Sequence, residues 1–188
     1  TRSGIWRRNM INTLLLLLDI VFGLATILFV ARFLLQATRA DFYNPLSQAI
    51  VRASDPICGP LRSFIKPVNN FDLASILVAW LAACIYVALT LWLRAPASLN
   101  LGLIAWAGLV DTIMTLLQFY IFSIIIIAVA SFVAQGSMHP ALGLLHQLNE
   151  PLMAPLRKIL PPFGPLDLTP MIVLLLLFIV RDVLSRAY

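Results

Sequence analysis

The sequence predicts an all-α membrane protein with four transmembrane helices in two parallel repeats, each repeat carrying a Pro-rich amphipathic hairpin at the membrane interface. Composition, apolar run length and an internal repeat predict it. Of 188 residues, 61% are apolar and only 11% are charged, with a mean hydropathy of +0.96. A soluble domain carries about 25% charge, so this chain has too few polar residues to clothe a soluble core. The composition also excludes a disordered chain and a disulfide-rich secreted module.

The chain opens on the polar stretch Thr1–Asn9, which holds Arg2, Arg7 and Arg8. It reads as a flexible leader or an expression remnant, with Met10 a natural start. The net charge is +5, and +2 without those three arginines (5 − 3), so no direct nucleic-acid partner is expected. Runs long enough to cross a hydrocarbon core, which takes about 20 helical residues, are Ile11–Gln36, Leu73–Leu93, Leu109–Ala134 and Leu168–Leu184. No small-residue cleavage site ends the first, so it is a span and not a signal peptide. Between the second and third lies Arg94–Gly108, an apolar linker interrupted by Pro96, Gly102 and Gly108. It either lies in the interface or lengthens the third helix. Cys58 sits in a polar loop and Cys84 in an apolar run, which predicts neither a disulfide nor a metal site.

Residues 44–80 align on 139–175 at a constant offset of 95. The register matches Pro45 to Pro140, Pro56 to Pro151, Pro60 to Pro155 and Leu61 to Leu156. It continues with Arg62 to Arg157, Pro67 to Pro162, Asp72 to Asp167, Leu73 to Leu168 and Val78 to Val173, while Asp55 answers Glu150. Identities on Pro, Arg and Asp are not what chance similarity between apolar helices produces. The repeats are 10–93 and 109–188, with 94–108 between them. Each copy crosses twice, so both hairpins lie on one side of the membrane. Ser54-Asp55-Pro56 and Asn149-Glu150-Pro151 read as helix starts, because Ser or Asn caps, an acid suits the first turn and Pro is tolerated there. Pro60 and Pro155 then block a regular helix, which predicts a short, kinked amphipathic segment.

The unit S/N-D/E-P-x-x-x-P-L-R, a further Pro five residues on and an Asp ten on, used twice, resembles the YggT (YggT/YlmG-like) family. Asp41-Phe42-Tyr43-Asn44-Pro45 and Gln135-Gly136 add to the likeness. The resemblance implies a bacterial inner-membrane, multi-pass protein with no settled activity. Its bacterial relatives are linked to osmotic-stress tolerance and to the neighbourhood of cell-division genes. Plastid relatives are linked to nucleoid and thylakoid organisation and to haem attachment, which suggests an assembly factor.

The hairpin side carries Arg39, Arg52, Arg62, Lys66, Arg157 and Lys158, against Arg94, Arg181 and Arg186 on the other side with the leader set aside. The positive-inside rule then places the hairpins in the cytoplasm. Arg62 and Arg157 have two readings, which can coexist. They bind anionic head groups or an acidic partner, helped by Arg52, Lys66 and Lys158, because a planar guanidinium matches phosphate oxygens. Alternatively they pair internally with Asp72 and Asp167, which also sit where a helix N-cap is wanted. Asp19 and Asp111 lie within apolar runs, where a carboxylate is costly. Helical spacing sets Asp19, Gly23 and Thr26 on one face, and Asp111, Thr115 and Gln118 on another. Such stripes either glue helices together or line a proton or potassium path. Arg32, near the end of the first span, is expected to snorkel to the surface. His139 and His146 read as surface residues, and Trp6, Trp80, Trp92 and Trp106 as interfacial anchors. No catalytic signature or cofactor motif is found. The expected function is therefore a non-enzymatic organising factor that engages anionic lipid, another membrane protein or a second copy of itself. The alternative is an ion transport or channel role in osmotic adaptation.

Overall fold

The computed structural model describes residues 2–133, 139–159 and 167–186. These fold into six α-helices and one 3₁₀ turn: α1 Arg2–Ala37, α2 Pro45–Phe64, α3 Leu73–Arg94, η1 Pro96–Ser98, α4 Leu101–Val133, α5 Pro140–Ile159 and α6 Thr169–Arg186. Gln135-Gly136 and Pro162 of the repeat pattern lie outside the described residues. Three segments are long and apolar enough to cross a membrane, Arg8–Ala37, Leu73–Arg94 and Leu101–Ala130. The expected fourth run forms α6, of 18 residues, about 27 Å at 1.5 Å per residue. It carries Arg181 and Asp182 within its length.

In the opening stretch, Arg2 onward is helical and continuous with the first apolar run. Nothing in that stretch breaks a helix except Gly4, and one glycine costs only about 1 kcal/mol. The linker resolves into a Pro96–Ser98 turn followed by α4, which starts at Leu101 and so lengthens the third apolar helix. Asn100 sets that start, its Oδ1 accepting from the Gly102 and Leu103 N–H groups at 2.8 and 3.2 Å.

The Pro-rich units are also not short. α2 and α5 each run 20 residues, straight through Pro56 and Pro60 or Pro151 and Pro155. Their starts lie nine residues before the Ser-Asp-Pro and Asn-Glu-Pro triplets (54 − 45 and 149 − 140). Asn44 caps α2 by accepting the Leu46 N–H at 2.9 Å, with Pro45 in the first turn. In the other copy His139 Nδ1 accepts the Ala141 N–H at 3.2 Å, the same bond one repeat later. Residues Asp55 and Glu150 therefore do not open helices. The four prolines tolerated inside these helices are all exposed or half-buried, so the carbonyls they leave unpaired can be solvated.

α3 packs mainly against α1 and α4, and α4 also against α6. At the α3–α4 crossing a side chain on Gly108 would come within 3.0 Å of the Cys84 backbone nitrogen. Only glycine allows that approach. A single apolar core runs through the half of the molecule near α2 and α5. It includes Val30, Leu34 and Leu35 of α1, Ile121 and Ile124 of α4, Leu144 and Leu148 of α5, and Val173 and Leu177 of α6.

Candidate membrane-surface site

Arg32 does not snorkel. It is 2% exposed, and its guanidinium joins α1 to α2. Nη1 donates to the Val51 carbonyl at 2.8 Å and to Ser54 Oγ at 2.6 Å, and Nη2 donates to Asp55 Oδ1 at 2.5 Å. Its Nε lies 3.7 Å from Asp72 Oδ2. The triplet expected to cap a helix thus supplies the acceptors for a buried cation. No sequence rule marks this pairing, because the partners lie 22 and 23 residues away on a different element.

Arg62 closes the same network from the end of α2. Its Nε donates to Asp72 Oδ2 at 3.1 Å, and its Nη2 donates both to that oxygen and to Gln36 Oε1, the latter at 3.0 Å. Asp72 is wholly buried and stands at the N-cap position of α3, yet its side chain caps nothing. It accepts from Arg62 and from the Ser75 hydroxyl instead. Burial acts to raise the Asp72 pKa, but the hydrogen bonds from Arg62 and Ser75 outweigh it and hold the carboxyl below its ordinary range. Cys58 lies in this buried layer and not in a loop. Burial pushes its thiol pKa up.

The second copy is built differently. Counting 95 residues on, Arg32 becomes Ile127, Ser54 becomes Asn149 and Asp55 becomes Glu150. A neutral pair replaces the buried cation: Asn149 Nδ2 donates to Ser123 Oγ at 2.8 Å and to the Leu145 carbonyl at 2.7 Å. Arg157 still meets Asp167, with Nε 3.2 Å from Oδ2, and also reaches Glu150 at 3.1 Å. Here the groups are exposed, 40% for Arg157, 54% for Glu150 and 43% for Asp167, and exposed pairs contribute at most about 1 kcal/mol. Asp167 also accepts the Thr169 N–H at 2.9 Å at the start of α6. One copy is therefore clamped and the other is open to solvent.

The two units touch. The Asp41 N–H donates to Gln147 Oε1 at 2.8 Å and Asn44 Nδ2 to the Pro140 carbonyl at 2.7 Å. Arg52, Lys66 and Lys158 are exposed around them, beside the outward apolar side chains Phe64 and Ile159, 86% and 74% exposed. His139 and His146 lie at the surface.

The intramembrane stripe divides. Thr26 is buried in helix packing. Asp19 and Asp111 instead line one cavity of about 590 Å³ between α1, α4 and α6, together with Thr115, Gln118, Arg181 and Ser185. Asp19 also accepts the Tyr86 hydroxyl at 3.1 Å and borders a second crevice of about 400 Å³ that reaches Asn12 and Arg94. Arg181 was counted in the sequence only as a surface charge.

A helical bundle with three membrane-length apolar helices, built twice from the same helix, Pro-containing helix, helix unit, is the class of protein this architecture defines. The family model described as CCB3/YggT matches residues 11–93 and 106–188, the same 95-residue offset. The chain is 37% identical to the uncharacterized protein YggT of Escherichia coli K12 over 90% of this chain and 88% of that one. It is 40% identical to an uncharacterized protein of Pseudomonas aeruginosa over 78% of this chain and 75% of that one. A Vibrio alginolyticus protein, described as an uncharacterized protein in the proC 3′ region, is 36% identical over 84% and 85%. No solved structure matches the chain. The protein belongs to the CCB3/YggT family.

Proposed function

We propose that the chain is a non-enzymatic organising or assembly factor of the bacterial inner membrane. In this reading α1, α3, α4 and α6 cross the bilayer, and α2 and α5 lie on its cytoplasmic face as one amphipathic platform. The exposed cations Arg52, Lys66, Arg157 and Lys158 engage phosphates of anionic lipid or the acidic face of a membrane-protein partner. Arg62 serves that platform mainly by tying α2 to α1 and α3. The observation that carries the reading is the pairing of α2 with α5 across the two repeats. It gathers exposed guanidinium and ammonium groups with exposed Phe64 and Ile159, as a head-group boundary favours.

The test is retention of phosphatidylglycerol by the purified protein, read by native mass spectrometry. Replacing Arg157 and Lys158 by Ala is expected to lower retention roughly five-fold per charge, since each basic residue near an anionic surface contributes about 1 kcal/mol. Adding Arg52→Ala and Lys66→Ala deepens the loss. Retention by the quadruple variant equal to that of the parent sinks the proposal.

A second reading, potassium or proton transport, draws on the cavity that Asp19 and Asp111 share. The buried layer of Val30, Ile124, Leu144 and Val173 lies farther along the helices toward α2 and α5, so a path through one chain would have to open it. Flux in liposomes that fails in Asp19→Asn or Asp111→Asn supports transport. Silence from correctly inserted protein removes it.

A further inference from the structure

The cavity between α1, α4 and α6 holds charges of both signs that do not meet. Asp19 and Asp111 line it from α1 and α4, and Arg181 lines it from α6. Among the described residues, Arg181 makes no ion pair with either carboxylate, and the Asp111 side chain makes no hydrogen bond. Isolated charges at the level of a hydrocarbon core are expensive, and direct pairing would be the ordinary remedy. Here no such pair forms, so a bound group carrying both signs of charge would supply each wall with its missing partner.

The opening says what kind of occupant. α1 and α6 both pack on α4, with no comparable packing between themselves, so the cavity has α4 as its floor and a gap between α1 and α6 as its side. Ser185, in the last turn of α6, lies at the rim, so the cavity opens past the end of α6 remote from α5. Ile27 and Met114 give the cavity apolar lining beside the charged residues. A free cation would meet Arg181 as well as the carboxylates, and a free anion the reverse. A zwitterion meets both.

We propose that this cavity binds the head group of a zwitterionic phospholipid. A primary ammonium lies against Asp19 and Asp111, the phosphate lies against Arg181, and the acyl chains run out through the gap. The site rests on α6 lying in the membrane beside α4, and it is separate from the α2–α5 platform, which addresses anionic lipid at the other face. Its volume of about 590 Å³ falls within the usual range of ligand cavities. The apolar core lies on its α2 and α5 side, so the cavity opens along the α1–α6 gap and past the end of α6, not toward those helices.

The test is the melting temperature of the full chain in mixed micelles, read by tryptophan fluorescence, with phosphatidylethanolamine, phosphatidylglycerol or phosphatidylcholine added. Phosphatidylethanolamine at a hundred-fold excess over its Kd is expected to raise the parent's Tm by roughly 5–10 °C. Asp111→Asn and Arg181→Gln should abolish that rise, and Arg181→Lys should keep part of it. Ser185→Trp, which obstructs the rim and leaves the charges in place, should abolish it too. A rise of equal size in the parent and the charge variants overturns the proposal, as does no rise in the parent. A rise with potassium chloride in place of N-methylglucamine chloride that needs the carboxylates and not Arg181 also overturns it, in favour of a free cation. Phosphatidylglycerol reports on the platform, so failure there and failure at this pocket are told apart.

Discussion

Arg32 shows how a single side chain can organise three helices. Its cost lies in dehydrating a guanidinium, and it is offset by the bonds of Nη1 and Nη2 to Val51, Ser54 and Asp55, while Nε has no hydrogen bond and lies 3.7 Å from the Asp72 carboxylate. Breaking such a buried arrangement by removing one partner typically costs 3–5 kcal/mol. Arg32→Met should lower the Tm, with a loss of about 3 kcal/mol or somewhat less because Asp55 is half exposed. Arg32→Met with Asp55→Leu and Asp72→Asn should recover much of it. The pH dependence has a definite sign. The Asp72 pKa is depressed in the folded chain relative to its ordinary value of 3.8, so its stabilisation is present in full well above that value. It is lost as the pH falls through the usual carboxylate range toward the folded pKa. Thermal melts between pH 7 and pH 3 should show this acid limb, and Asp72→Asn should flatten it while lowering stability at pH 7. The pairing of Arg62 with Asp72 was one of two readings the sequence offered. That of Arg32 was not legible, because only the packing of α1 on α2 reveals its partners.

At the scale of elements, the apolar runs announced themselves, because burial in lipid leaves a plain record in composition. The Pro-containing helices did not. Proline's penalty inside a helix, about 3 kcal/mol, suggests a stop, but tertiary contacts along α2 and α5 override it. Buried Ser54 and Cys58 in one helix, and Leu148, Asn149 and Met153 in the other, anchor the turns around the prolines. Their cap was readable at Asn44-Pro45, and its counterpart His139 was disguised by a change of residue type. Pro60→Ala restores a backbone donor at an exposed position and should raise the Tm, as differential scanning fluorimetry would show. The α3–α4 crossing should respond the other way. Gly108→Val places a branched side chain against the Cys84 backbone, and overpacking of this kind costs about 1–3 kcal/mol. Loss of folded, monodisperse protein on size exclusion is the expected result.

For the whole molecule, the proposed four crossings put two in each copy, which would keep both copies in one orientation. Labelling can test this in a background with Cys58→Ala and Cys84→Ala. Lys66→Cys and Lys158→Cys should react with an impermeant maleimide from one side of the membrane, and Asn100→Cys from the other. Reaction of the two lysine positions from opposite faces would contradict the parallel arrangement. The repeat was visible in the sequence because prolines, arginines and aspartates resist drift more plainly than interchangeable leucines. What could not be read is how far the copies have diverged in role. The charge network sits in the first and the neutral Asn149–Ser123 pair in the second. Likewise the cavity is assembled from both, with Asp19 from the first copy and Asp111 and Arg181 from the second, so neither half contains it alone.

Arg32 also sets a schedule for biosynthesis. The ribosome makes it 22 residues before Ser54 and 23 before Asp55, and 40 before Asp72 (72 − 32). While α1 leaves the translocon its guanidinium has no acceptor, and it gains its partners only as α2 emerges. The apolar length of α1 is enough for insertion by itself, so Arg32→Met should leave insertion of a nascent chain stopped after residue 44 unchanged and lower the protease resistance of one stopped after residue 94. Arg32 thus times the docking of α2 onto α1, a step that waits for the segment made after it.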